Sequence, residues 1–526
     1  MTIAATAASQ TVASALQAAD RIGSSEQKNA ALRLAGQLLI RLNLYSQAAE
    51  LLTAGIQGQE NAADLSRQID IYRNLHHSMP AAFPPTDPKA PVQLMMTSVM
   101  TGTIVQTVPT FLTRHSFATE TEWKHNLEHN GSSKVLATIA KKSQIPLSVM
   151  RDLIAGNLKF TSEGDDSHGY HVTMQSIGAE PQQFFVSREE GQYKIVASGT
   201  DTAEVGNYAV YLLRNNRQAE AVSLLDWKRS LVHRGGGDDP LAGDLFARFW
   251  TEGSSGSLQS VTQAIQISAI ALTIQKPASQ LSLEPAIALY QKTPPSTRSD
   301  LALLLACAWL NHNDGAAAKP YIAELLHQYP NSITAISLAG RSYAQLKDFA
   351  SWSALLDARL AKRPSDRELL NQSAFEAESQ GDFARARKAL RLVLDSGKAT
   401  SNDYNGFAWL ALFDDHLDAE SIQAGQQANL LSKNSNFGDL HTLACLYAAQ
   451  GKTTEARQLL FDAMAAGNQT EPNSSVWFGF GSIYEQFGET EAAIAAYRKV
   501  TPPEEPINPI DTYNLAQTHL KDLRAN

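Results

Sequence analysis

Six small residues recur at a nearly constant step in the second half of the chain: Ala306, Gly340, Ala374, Ala408, Ala444 and Gly481, at intervals of 34, 34, 34, 36 and 37 residues. Each sits inside an apolar, helix-period pattern, and a second such pattern follows it. A step of this length is that of one helix–turn–helix unit. Units that recur in one phase stack side by side and bury a continuous core between neighbours. The small side chain is needed where the first helix of a unit, helix A, crosses the second, helix B, because a bulky one would force the two apart. The spacing therefore predicts paired antiparallel helices over about 299–500.

The last unit carries the fullest pattern: Trp477, Phe480, Gly481 and Tyr484, then Gly488, Ala493 and Tyr497. The unit before it has Leu443, Ala444, Tyr447, Gly451, Ala456 and Leu460 at the matching places, and Pro330 and Pro364 close the first two units. These residues resemble the tetratricopeptide repeat pattern W-x2-L-G-x2-Y…A-x3-F. Glu420 departs from it, standing where the fourth unit's helix B alanine belongs, which suggests a skewed hairpin. Leu515-Ala516 continues the phase without a second helix behind it, as a terminal capping helix does.

The resemblance implies a mainly α fold, an α-solenoid whose A helices line a concave groove. It also implies a non-enzymatic scaffold or adaptor that takes a partner protein or peptide segment in that groove. In this family the third residue before the crossing residue and the first after it face the groove. Those positions hold Ser337 and Arg341, Asn371 and Phe375, Asn405 and Trp409, His441 and Cys445, and Phe478 and Ser482. An asparagine amide both donates to and accepts from a peptide backbone, and Arg341 suits a carboxylate. Phe375 and Trp409 offer apolar contact, or else pack between repeats as aromatics in helix arrays usually do. Some members clamp a C-terminal carboxylate with lysines, and lysines are missing from the matching positions here.

The rest of the chain divides by texture. Residues 1–80 read as an N-terminal helical hairpin, resembling a repeat unit over 28–57, with a further helix near 61–77. Prolines 80, 84, 85, 88 and 91 make 81–91 an extended linker. Residues 92–200 read as a small α+β module. Helical patterns at 92–100, 103–113 and 134–155 precede the β-rich runs GYHVTMQSI, QQFFVSR and QYKIVASG, the last two joined by a turn at Glu189-Glu190-Gly191. At the level of pattern the module is similar to the cone-shaped cystatin-like folds, and it shares no motif with them. Residues 201–298 read as degenerate helical hairpins, and 299–526 as six repeat units with the cap. HRGGGDDP, residues 233–240, interrupts the first of these regions as a flexible loop, a glycine run without the spacing or the preceding strand of a phosphate loop.

A second motif competes for attention. Residues 125–129 read H-x-x-E-H, with His125 and His129 spaced to share a helix face and Glu128 between them as a base, the pattern of the inverted zinc peptidases. Gly131 ends any such helix, the flanking residues are polar, and the one formal third ligand, Glu204, opens a distant hairpin. The expectation is an exposed helix end without metal, and a zinc peptidase stands as a distant alternative. A nearer one is an accessory subunit of an enzyme system whose α+β module binds a ligand or drives oligomerisation.

The net charge of −9 argues against a general nucleic-acid binder. The two cysteines, Cys307 and Cys445, stand in separate helical patterns, with no C-x-x-C. No cofactor motif is present, no apolar run reaches membrane-spanning length, and no signal peptide is read. A cytoplasmic location is the expectation, and a piece of a larger exported precursor would look the same.

Overall fold

The computed structural model describes residues 2–42, 44–56, 66, 69–70, 72–73, 81–101, 103–117, 122, 157–176, 180–232, 239–251, 260–274, 281–414, 417–467, 469, 471–503 and 509–525. The expected helices near 61–77 and 134–155 fall wholly or largely outside them. Two compact units emerge, 1–236 with 243–304, and 237–242 with 305–526.

The first unit opens with three helices, α1 (Thr2–Ala19), α2 (Ser25–Arg41) and α3 (Tyr45–Gly55). Leu32 and Leu39 of α2 pack with Ala48, Leu51 and Leu52 of α3. Helices α4 (Ala90–Thr101) and α5 (Ile104–Phe111) lead to a four-stranded antiparallel meander, β1 (Lys159–Asp165), β2 (Gly169–Gln175), β3 (Gln182–Glu189) and β4 (Gln192–Ser198), in that order across the sheet. The β3–β4 turn falls where expected but is one residue shorter, since Glu189 ends β3 and only Glu190 and Gly191 make the turn. Glu190 and Gly191 both take positive φ, 49° and 83°, as a turn matching the strands' twist demands.

One sheet face packs Val172, Met174, Phe184, Val186 and Ile195 against Val92, Met100, Val108 and Phe111 of α4 and α5. The other carries Phe185 and His171 towards Trp227, on the hairpin of α6 (Ala203–Arg214) and α7 (Gln218–Leu231). A buried polar group ties that hairpin to β3. The Tyr208 hydroxyl donates to Glu189 (2.7 Å) and lies 2.8 Å from Ser187 Oγ, Ser187 donates to Glu220 (2.6 Å), and Arg217 pairs with Glu220. Helices α8 (Leu245–Thr251), α9 (Val261–Thr273) and α10 (Glu284–Lys292) follow.

The second unit begins within α11 (Ser299–Asn311) and continues through α12 (Gly315–Gln328), α13 (Ile333–Leu346), α14 (Phe349–Leu360), α15 (Arg367–Ser379), α16 (Phe383–Asp395), α17 (Ser401–Leu410), α18 (Ala419–Leu431), α19 (Phe437–Ala449), α20 (Thr453–Ala466), α21 (Ser474–Gln486), α22 (Thr490–Tyr497) and α23 (Thr512–Ala525). Odd-numbered helices are the A helices and even-numbered ones the B helices. Most starts are set by a side-chain cap. Asp314, Ser332, Asp348, Asp366, Asp382, Asp418, Asn436 and Asn473 each accept from the amide three residues on, satisfying a donor the helix cannot.

The A–B turns repeat just as regularly. Asn313, Lys347, Gly381, Gly451 and Gly488 all have left-handed backbones, with φ between 55° and 76°. Each lies seven residues after its crossing residue, so one left-handed residue reverses the chain in five of the six units. All described strands lie within 159–198, and every described element after Asp201 is helical, so the sheet stays where the alternation placed it.

The fourth unit breaks the rule. Eight residues separate α17 from α18, against three between α19 and α20, and helix B slides accordingly. Glu420 stands in the first turn of α18 with its side chain 43% exposed. Gly425 takes the crossing instead, since a Cβ built on it would lie 3.7 Å from that of Ala408. The missing alanine at 420 reflects this slip in register.

Candidate functional site

The crossing residues and one after them on the A helices set the face on which the sequence places its candidates. Ala306, Ala374, Ala408 and Ala444 are buried. A Cβ on Gly340 would fall 2.8 Å from the Trp352 ring, and one on Gly481 2.5 Å from the Tyr497 ring. With the crossings fixed, the residues around them have only one direction left, and the candidates fall into two groups along the array.

Upstream, the face is open. Ser337 on α13 is half-buried and Arg341 is exposed. The Arg341 guanidinium donates to Oδ1 of Asn311 at the end of α11 (2.8 Å), which holds it across two A helices. Phe375 on α15 is 40% exposed and sets its ring edge-on to Trp352, with centroids 5.7 Å apart. Asn371 is half-buried and its amide donates to Asp403 (2.9 Å). Asp403 also accepts from Arg367 and from the backbone and hydroxyl of Thr400. Burial pushes the Asp403 carboxyl up, but these donors outweigh it and the net shift is downward. Asn371 is thus one spoke of a buried carboxylate hub between α15 and α17. Asn405 on α17 is half-buried, and its Oδ1 accepts no hydrogen bond among the described residues.

Downstream, the same positions are covered. His441 is buried and bonds the Ser475 carbonyl through Nε2 (2.9 Å), and burial lowers its pKa. Cys445 is buried beside it with its thiol pushed up, which makes it an inert core residue. Phe478 is 2% exposed, between Tyr497 and His519. Trp409 donates its indole N–H to the main-chain carbonyl of Ile510 (2.9 Å). Trp409, Cys445 and Phe478 share one apolar cluster with Leu515, Ala516 and Leu520 of α23.

One participant carried no signal in the sequence. Asp239, just past the glycine run, accepts from the Ser332 and Thr334 hydroxyls and from the Thr334 amide at the start of α13 (2.8–2.9 Å). A carboxylate at a helix N-terminus satisfies free amides and opposes the helix dipole. The pairing spans 95 residues, and no local pattern announces it.

The H-x-x-E-H stretch, with His125 and His129, lies outside the described residues. Glu204 sits in the first turn of α6. Among the described residues no three His, Cys, Asp or Glu side chains group as a metal site requires, and no helix is long and apolar enough to cross a membrane.

Residues 474–501, covering α21 and α22, match the tetratricopeptide repeat model. No curated protein matches the chain. Among solved structures, a tetratricopeptide repeat protein from Parabacteroides merdae is similar at 16% identity and a TM-score of 0.36, over 54% of this chain and all of its own. The APC/C hetero-tetramer Cut9–Hcn1 aligns over 97% of this chain and 95% of that one, at 10% identity and a TM-score of 0.31. Superpositions this loose bear no weight on function.

Proposed function

We propose, from the tetratricopeptide repeat that the chain carries over part of its length, that it is a non-catalytic interaction scaffold whose A helices bind an extended segment of a partner protein. The observation that carries this reading is the upstream face. Phe375, a large aromatic on a stacked helix, is left 40% exposed at the groove position following that of Arg341, and α13 and α15, which carry the two, pack on each other. An exposed aromatic and a cation held in place by Asn311 present apolar area and charge together, the pairing that recurs at binding hot spots.

The chemistry implied is a segment with an apolar side chain for Phe375 and a carboxylate for Arg341. The test is capture by the full chain from its source cell, wild type against Arg341→Glu with Phe375→Ser. Both residues are exposed, so the unfolding midpoint should hold while the captured partner falls by roughly tenfold or more. Equal capture by the two chains would refute this face as the binding surface.

A further inference from the structure

We propose that residues 509–525 are an internal, exchangeable occupant of the helix-A face, so that the chain covers the downstream part of its own binding surface until a partner displaces them. The proposal rests on the reading of that face given above. A helix that only capped the last repeat would need α21 and α22 beneath it, and α23 has them. Leu515, Ala516 and Leu520 pack with Phe478, Ala493 and Tyr497, and His519 pairs with Glu485 (2.7 Å). The segment reaches much further than that. The Leu515 cluster extends to Trp409 and Phe413, two units back. Ile510 packs on the cluster built from Ala374, Ala386, Phe407, Ala408 and Leu446, from the third unit to the fifth.

The way it is held matters as much as its reach. Trp409 reads a main-chain carbonyl, which every peptide presents, so an incoming segment can take the same bond. The segment also shapes itself. Pro509's carbonyl accepts from Asn514 (3.2 Å), and Asp511's side chain accepts from the Tyr513 amide (2.7 Å). Its turn into α23 therefore survives release from the array. Gln517, Thr518, Lys521 and Asp522 are exposed on the outer side of α23, which makes it an amphipathic helix with one apolar face. Release uncovers that face together with Trp409 and Cys445, so opening is brief unless another segment takes the surface. An occupant tied to the array by a short connection competes at high effective concentration. Covering by the chain's own segment thus raises the affinity a partner must have.

Hydrogen exchange on the full wild-type chain tests this. An exchangeable occupant predicts that α23 amides exchange through a partial opening, roughly tenfold or more faster than those of α19 and α21. Ile510→Asp should speed α23 by about another tenfold and leave α19 and α21 unchanged. A fluorescein-labelled synthetic peptide of residues 509–525 should then bind the Ile510→Asp chain about tenfold or more tighter than wild type. Exchange of α23 at the rate of α19 and α21 in both chains would overturn the proposal and make the segment permanent core. So would equal peptide binding by both. Should Ile510→Asp lose its helical signal, Ile510→Ala, which trims the occupant and leaves the array's own surface unchanged, serves in its place with the same criteria. No external partner enters this experiment, so its failure leaves the Arg341–Phe375 reading standing, and failure of capture leaves the exchange result standing.

Discussion

Gly481 faces the ring of Tyr497 so closely that any Cβ there would overlap it. The ring is itself buried and its hydroxyl donates to Glu485, so it has little room to move. Gly481→Leu is expected to destabilise by about 3 kcal/mol or somewhat less through overpacking. Urea unfolding measures it, and an unchanged midpoint would mean the crossing lies elsewhere. Two neighbouring glutamates on α15 make a second contrast. Glu376 is buried but paired with Arg385 and accepts from Ser353 (2.6 Å). Glu378 is 9% exposed, and burial pushes its pKa up to about 7. Below about pH 4.5 both folded and unfolded chains hold that proton and folding loses nothing. Between there and about pH 7 the unfolded chain releases it first, so stability falls as pH rises and then levels off. The full loss is about 3 kcal/mol for a shift of this size. Glu378→Gln should therefore be more stable than wild type at pH 8 by up to that amount and nearly equal to it at pH 4.5. A constant difference between the two across that range would count against the assignment.

At the scale of elements, what could be read in advance was whatever repeats locally. The small crossing residues, the place of the turn before Gln192 and the alternation in β2 to β4 each state their structure within a few residues, because backbone sterics and one-sided burial act over that distance. What escaped was set by partners remote in sequence. The slide of α18 depends on a longer A–B connection, and no residue within it announces that Gly425 replaces position 420 at the crossing. Asn371 reads as a peptide-binding amide until Asp403, 32 residues on, is seen to take its proton donor. Trp409 was open to both readings, groove and core. Its partner, the Ile510 carbonyl, lies 101 residues away and is a main-chain atom, which no side-chain pattern marks. The same holds for Asp239 at the start of α13.

For the molecule as a whole, the arrangement separates a surface already used from one still available. Over the last three units the A helices hold residues 509–525, and over the second and third they present Arg341 and Phe375 to solvent. The compact unit of 1–236 with 243–304 has its own buried polar group, Ser187, Tyr208 and Glu220, which locks the sheet onto the α6–α7 hairpin as firm framework. The proposed function belongs to the helix-A face. A photo-reactive benzoylphenylalanine placed at position 375 of the full chain, with a control at the exposed Leu392 on α16, tests that most directly in the source cell. A discrete covalent adduct with a partner protein is expected from position 375 and none from position 392. Adducts from 392 alone, or equally from both, would contradict it.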